Sequence, residues 1–160
     1  MARWTEFAAA APDVATYVTE RFAAGKHKTM ATLRADGSPR ISGTEITIER
    51  GDLWIAGLPQ SRKLADLRRD ARVAIHSASP DPAADGSWPG DAKVSGLAVE
   101  VTDPAELATF ASGQEQMPPG PFELFRLDLH EVVAVRMGEP ADHLDIDLWQ
   151  PGQAARRFSR

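Results

Sequence analysis

The chain has 160 residues, 42% hydrophobic and 26% charged, with a formal net charge of −5. This is long enough for one domain with a real core, spanning residues 1–160, and the acidic balance argues against nucleic-acid binding, which needs surplus Lys and Arg. It has no cysteine, which excludes disulfides, thiolate catalysis and cysteine-held metal. No apolar run approaches the ~18 residues of a membrane span and no secretory leader pattern opens the chain, so no membrane partner and a cytoplasmic location are expected.

In chain order, Pro12-Asp13 predicts a helix start with Asp13 as cap. Val14, Tyr17, Val18 and Phe22 form its apolar stripe, and Gly25 ends it. A first strand runs from Lys28 to Leu33, and Ala35-Asp36-Gly37-Ser38 turns the chain. A second strand covers Arg40 to Ile48, and Glu49-Arg50-Gly51-Asp52 turns it again. Leu53 to Leu58 is the third strand, followed by a short helical pattern to Arg69 and a fourth strand, Arg72 to His76. Ser79 to Asp91, rich in proline, reads as a loop. Ala92 to Thr102 is the fifth strand, and Pro104 opens a helix to about Ser112. Met117-Pro118-Pro119-Gly120-Pro121 is a stiff linker, and Leu127 to Met137 is the sixth strand. The fold class is therefore mainly β with a few helices. Six or so antiparallel strands in sequential hairpins favour a small barrel.

The segment Trp54 to Lys63 carries the most chemistry. A hydrophobic strand enters a Gly/Pro turn that delivers Ser61, Arg62 and Lys63 to a helix start. Such a start offers unpaired N–H groups and partial positive charge, which suit an anion. Ser61 is a natural cap; Arg62 has a fork for phosphate oxygens and Lys63 a point charge. Between Leu58 and His76 there are five Lys and Arg against two Asp. A basic island on an acidic chain fits a small anionic ligand. A solvated basic turn is the plain alternative.

Taken together, the Asp-Gly turn, Pro39-Arg40-Ile41-Ser42, Ser61-Arg62-Lys63 and Leu67-Arg68-Arg69-Asp70-Ala71-Arg72-Val73 resemble the pyridoxamine-phosphate-oxidase-like superfamily. These are split β-barrel flavoproteins that include flavin- and deazaflavin-dependent reductases. The resemblance covers about residues 26–102. It implies that Arg40 contacts the cofactor phosphate together with Arg62 and Lys63, and that Ile41 and Ser42 line the flavin ring by backbone. Ile55, Ala56 and Gly57 match the strand passing along the ring; a plain core strand is the other reading. Leu148-Trp149-Gln150-Pro151-Gly152 resembles the family's closing segment, so Trp149 stacks on the ring or sits in the core. True pyridoxamine-phosphate oxidases follow it with an Arg-x-His pair. Here Gln153-Ala154-Ala155-Arg156-Arg157-Phe158 stands instead, which makes vitamin B6 oxidation doubtful.

The expected activity is an oxidoreductase that uses F420 or FMN to move hydride to or from a small organic substrate, with the cofactor's ring supplying the chemistry. The resemblance implies a homodimer with the cofactor at the interface. Arg68, Arg69 and Arg72 suit the longer acidic tail of F420, or lie in solvent. A non-catalytic flavin, haem or lipid binder is the alternative. His27, His76, His130 and His143 are scattered without metal spacing, so no metal site is expected. Glu139, Asp142, Asp145 and Asp147 read as a solvated acidic connection. No Walker, Rossmann or Gly-x-Ser-x-Gly motif is present, and no catalytic side chain stands out.

Overall fold

The computed structural model describes residues 1–114 and 120–160. Part of the expected stiff linker, Met117-Pro118-Pro119, lies outside the described residues. Two helices open the chain, α1 (Trp4–Ala10) and α2 (Pro12–Ala23). The sequence reading foresaw only the second. Ala11, with φ −146° and ψ 66°, breaks the two apart, and Pro12 rather than Asp13 starts α2. Proline suits that place because the first-turn N–H has no intrahelical partner anyway. Trp4 and Phe7 of α1 are buried, their rings edge to face at 5.2 Å.

Among the described residues nine strands follow: β1 (Lys28–Leu33), β2 (Pro39–Thr44), β3 (Ile46–Glu49), β4 (Asp52–Gly57), β5 (Arg72–His76), β6 (Asp91–Val101), β7 (Glu123–Met137), β8 (Leu144–Trp149) and β9 (Arg156–Ser159). Helix α3 (Arg62–Arg69) joins β4 to β5, and α4 (Pro104–Ser112) follows β6. All pairings are antiparallel, in the order β2-β1-β5-β6-β7-β4-β3, with β8 on β7 and β9 on β8. The mainly β, antiparallel architecture agrees with the sequence reading.

The strand count exceeds the expected six for physical reasons. The stretch read as one strand, Arg40 to Ile48, divides at Glu45 because its two halves choose different neighbours. β2 pairs with β1, whereas β3 pairs with β4. The acidic stretch is not a solvated connection throughout. Asp145 and Asp147 lie on β8, and Asp147 is buried, where it accepts from Arg136 at 2.7 Å and Arg157 at 2.7 Å. A buried carboxylate needs such partners.

Between β2 and β3 no ladder forms, although they adjoin in the chain. The sheet therefore curls to a seam, and Glu45 links the two strands across it. The core inside it is built from Phe7, Met30, Leu53, Ile55, Leu127 and Phe125, among others. Helix α3 closes one end, burying Leu64 and Leu67 and exposing Arg62 and Arg68. A smaller apolar cluster, Trp54, Phe110 and Leu124, seats α4.

Candidate functional site

A cavity of about 630 Å³ opens at the seam. That is within the ~300–1,000 Å³ usual for small-molecule sites. Gly43 and Thr44 line it from the end of β2, Ala56 and Gly57 from the end of β4, and Ser61 and Lys63 from the turn into α3. These are residues from separate strands: the unpaired edges belong to β2 and β3, and Ala56 and Gly57 lie on β4 past the last rung it shares with β3. An aromatic wall, Phe110 and Phe122, faces them with ring centroids 6.0 Å apart. The cavity thus has a polar end and an apolar end.

At the polar end, Lys63 Nζ donates to the Gly43 carbonyl at 2.6 Å. Burial lowers the lysine below its ordinary pKa, and the nearby charge of Glu45 partly offsets this. Ser61, which lines the cavity, precedes α3 without making a side-chain cap bond, so the helix start carries no cap from its own serine. A Cβ on Gly43 would meet nothing within 4 Å, leaving open space beside the lysine. These groups fit a phosphate-bearing, flat ligand.

The structure sorts the residues that sequence had assembled. Ala56, Gly57, Ser61 and Lys63 line the cavity; Arg40, Ile41, Ser42, Ile55, Arg62 and Trp149 do not. Arg40 Nε donates to Asp66 Oδ2 at 2.6 Å, and Asp66 also accepts from Arg69 Nη2 at 2.8 Å and Thr32 Oγ1 at 2.9 Å. Burial pushes the Asp66 carboxyl up, but these hydrogen bonds outweigh it and hold the pKa at about 2. Arg40 is therefore committed to locking α3 onto β2. Arg62 is exposed on α3 and has no ion pair among the described residues. Ile41 points outward, 69% exposed, and Ser42 stands beside buried Met30. Ile55 is wholly buried and belongs to the core.

Packing bears on two readings that the sequence left open. Gly57 is small for the sake of α3: a Cβ there would lie 2.8 Å from Leu64 Cδ1. Trp149 packs in the core against Phe7, centroids 4.9 Å apart, at 2% exposure. The extra arginines are also spent. Arg68 pairs with Glu100 and Glu123, Arg69 with Asp66, and Arg72 with Asp70.

Residues that sequence reasoning missed include His27, Gly43, Thr44, Glu45, Thr47 and Phe110. Phe110 carried a weak signal, an aromatic on a helix otherwise rich in small residues. His27 and Glu45 carried none, since neither lies in a motif. Among the described residues no cluster of His, Cys, Asp and Glu has the makings of a metal site. Among the described residues no helix is long and apolar enough to cross a membrane.

Comparisons with known proteins agree with this architecture. A pyridoxamine 5'-phosphate oxidase-related, FMN-binding protein from Nostoc punctiforme superposes with a TM-score of 0.64 at 15% identity, covering 93% of this chain and 95% of that one. PhzG from Burkholderia lata, solved with tetrahydrophenazine-1-carboxylic acid, gives 0.59 at 15% identity over 94% and 92%. A pyridoxamine 5'-phosphate oxidase-like protein from Listeria innocua gives 0.59 at 12% identity over 74% and 95%. At these identities the likeness speaks for the fold. No curated protein matches the sequence. The family model for pyridoxamine 5'-phosphate oxidase matches residues 18–136, most of the chain and every strand from β1 to β7; the chain belongs to that family.

Proposed function

We propose that this chain, acting as one domain over residues 1–160, binds a flavin-type cofactor in the seam cavity and works as an oxidoreductase on a small organic substrate. The observation that carries this reading is the convergence of Ser61 and Lys63 with Gly43, Ala56 and Gly57 on one cavity of about 630 Å³. When bound, the cofactor's ring supplies the hydride chemistry. Lys63, the Ser61 hydroxyl and the first N–H groups of α3 hold the phosphate. The backbone of β4 at Ala56 and Gly57 supports one face of the ring, and Phe110 and Phe122 exclude water from the apolar end. Holding and orienting the cofactor in this way needs no titrating acid or base of the chain.

FMN is favoured over F420, because Arg68, Arg69 and Arg72 are each neutralised by carboxylates within the chain. A homodimer belongs to the same reading. Leu58 at the cavity rim is 66% exposed and Ile41 on the outward face of β2 is 69% exposed; a second copy would cover such surface. Without cysteine or a spanning helix among the described residues, we place this activity in the cytoplasm.

The absorption spectrum of the protein as purified, followed by titration with FMN and with F420, tests the reading. Dissociation constants no better than about millimolar for both, near 4 kcal/mol, would sink it. A bound flavin that no quinone, enone or dye oxidises would leave a binding protein without catalysis. A Soret band would point to haem instead.

A further inference from the structure

Among the described residues, two that are not glycine hold a positive φ, Arg50 at 51° and Gln60 at 65°. A Cβ makes this left-handed backbone costly, and Gly or Asn is its usual occupant. Arg50 has a visible reason to be there. It lies in the turn between β3 and β4, and its Nη1 donates to the Thr109 carbonyl at 2.5 Å, which ties that turn to α4. Glycine at this position would forgo the tie.

Gln60 has no such tie. Its turn is Leu58-Pro59-Gln60-Ser61, closed by the Ser61 N–H on the Leu58 carbonyl at 3.3 Å. Pro59 presets the second position, and the third, Gln60, is the one that turns of this kind give to glycine. The residue is exposed, and its carboxamide makes no hydrogen bond to the protein among the described residues. Glycine would therefore serve the turn better than glutamine does. Yet Gln60 lines the seam cavity, and so do both its neighbours, Pro59 and Ser61.

Its place in the turn indicates what the amide meets. Before it comes Gly57, at the ring in the proposed binding mode; after it come Ser61 and Lys63, at the phosphate. In FMN a short hydroxyl-bearing chain joins ring to phosphate. A hydroxyl donates and accepts, as a carboxamide does, so the two match without charge.

We infer that Gln60 is a ligand-binding residue whose carboxamide hydrogen-bonds the hydroxylated chain between ring and phosphate. The inference rests on the cofactor reading, which sets the ring at Gly57 and the phosphate at Lys63. The costly backbone at Gln60 is kept for the ligand, not for the fold.

Two variants and two ligands test it. Gln60→Met keeps the side chain's length and removes the amide; Gln60→Gly removes both the amide and the strain. The ligands are FMN and a flavin phosphate with a plain pentyl chain in place of the hydroxylated one, both followed by flavin fluorescence quenching. Gln60→Met is expected to bind FMN about fivefold more weakly, the scale of a neutral hydrogen bond, and the pentyl analogue within about twofold of the native chain. Gln60→Gly is expected to lose FMN affinity likewise, while its cofactor-free form melts about 2–4 °C higher as the strain is relieved. Unchanged FMN affinity in Gln60→Met overturns the inference. Equal weakening toward both ligands overturns it too, because the contact is then not with the hydroxyls. A Gln60→Gly chain that melts no higher than the native one shows a turn without strain, and counts against it equally. Each of these results leaves the cofactor reading intact so long as the native chain binds FMN. A native chain that binds neither ligand fails both.

Discussion

The ammonium of Lys63 on α3 donates to the carbonyl of Gly43 on β2 at 2.6 Å, so one side chain ties the helix to the free edge of the sheet beside the cavity. A single carbonyl uses one of its three donors. Lys63→Met should therefore weaken FMN binding by about 1.5–3 kcal/mol, the value of a hydrogen bond to a charged group. Arg62→Ala, on an exposed position one residue earlier, should change it by less than about threefold, well under 1 kcal/mol. Flavin fluorescence quenching reads both. Equal losses would restore Arg62 to the site.

Asp66 predicts an acid limit on stability. Its carboxyl is held at about 2 in the fold, below the ordinary value of about 3.9. Its contribution is complete above the unfolded value and is lost as pH falls from about 4 through about 2. Asp66→Asn should cost about 2–3 kcal/mol at neutral pH, because Arg40 and Arg69 lose a charged acceptor. Urea melts at pH 7 and pH 3 check this: the gap between native and variant should narrow at the lower pH.

Gly57→Ala should destabilise by about 1–3 kcal/mol, since the new methyl meets Leu64 and cores tolerate overpacking poorly. Pairing it with Leu64→Val should recover part of the loss. For a domain of this size each kcal/mol moves the thermal midpoint by about 2–4 °C, so calorimetry resolves the effect. Absence of rescue would point to the cavity rather than the helix as the reason for glycine.

Trp149→Phe should leave FMN affinity unchanged. The ring lies against Phe7 in the core, and its Nε1 is buried without a partner. Removing that N–H offsets part of the lost packing, so the stability cost should stay near 1–2 kcal/mol. A large fall in affinity without loss of stability would put the tryptophan back beside the ring.

Local chemistry was legible; long-range partnership was not. The turns at Gly37 and Gly51 announce themselves because both adopt positive φ, 81° and 80°, and Pro104 with its Asp103 cap marks α4 (the cap accepts from the Ala105 N–H at 3.1 Å). The Ser61 to Lys63 turn was legible as a helix start after a strand, and α3 begins there at Arg62. Arg40 misled because its partner Asp66 lies 26 residues away, and nothing local tells a phosphate ligand from an internal ion pair. Trp149 was left open for the same reason: an aromatic beside a turn looks the same whether its face meets a cofactor or a core. Strand β8 did carry a signal, the alternation Leu144-Asp145-Ile146-Asp147-Leu148, which its acidic residues obscured.

Because β2 and β3 share no ladder, the gap between them can breathe without any rung of the sheet being broken. Rotation about the backbone at Glu45 sets its width, opposed by the two ties from α3 to β2, Lys63 to Gly43 and Asp66 to Arg40. Entry of a bulky ring then requires no unfolding, and amide hydrogen exchange should be quickest along the facing edges of these two strands, slowing once the gap is filled.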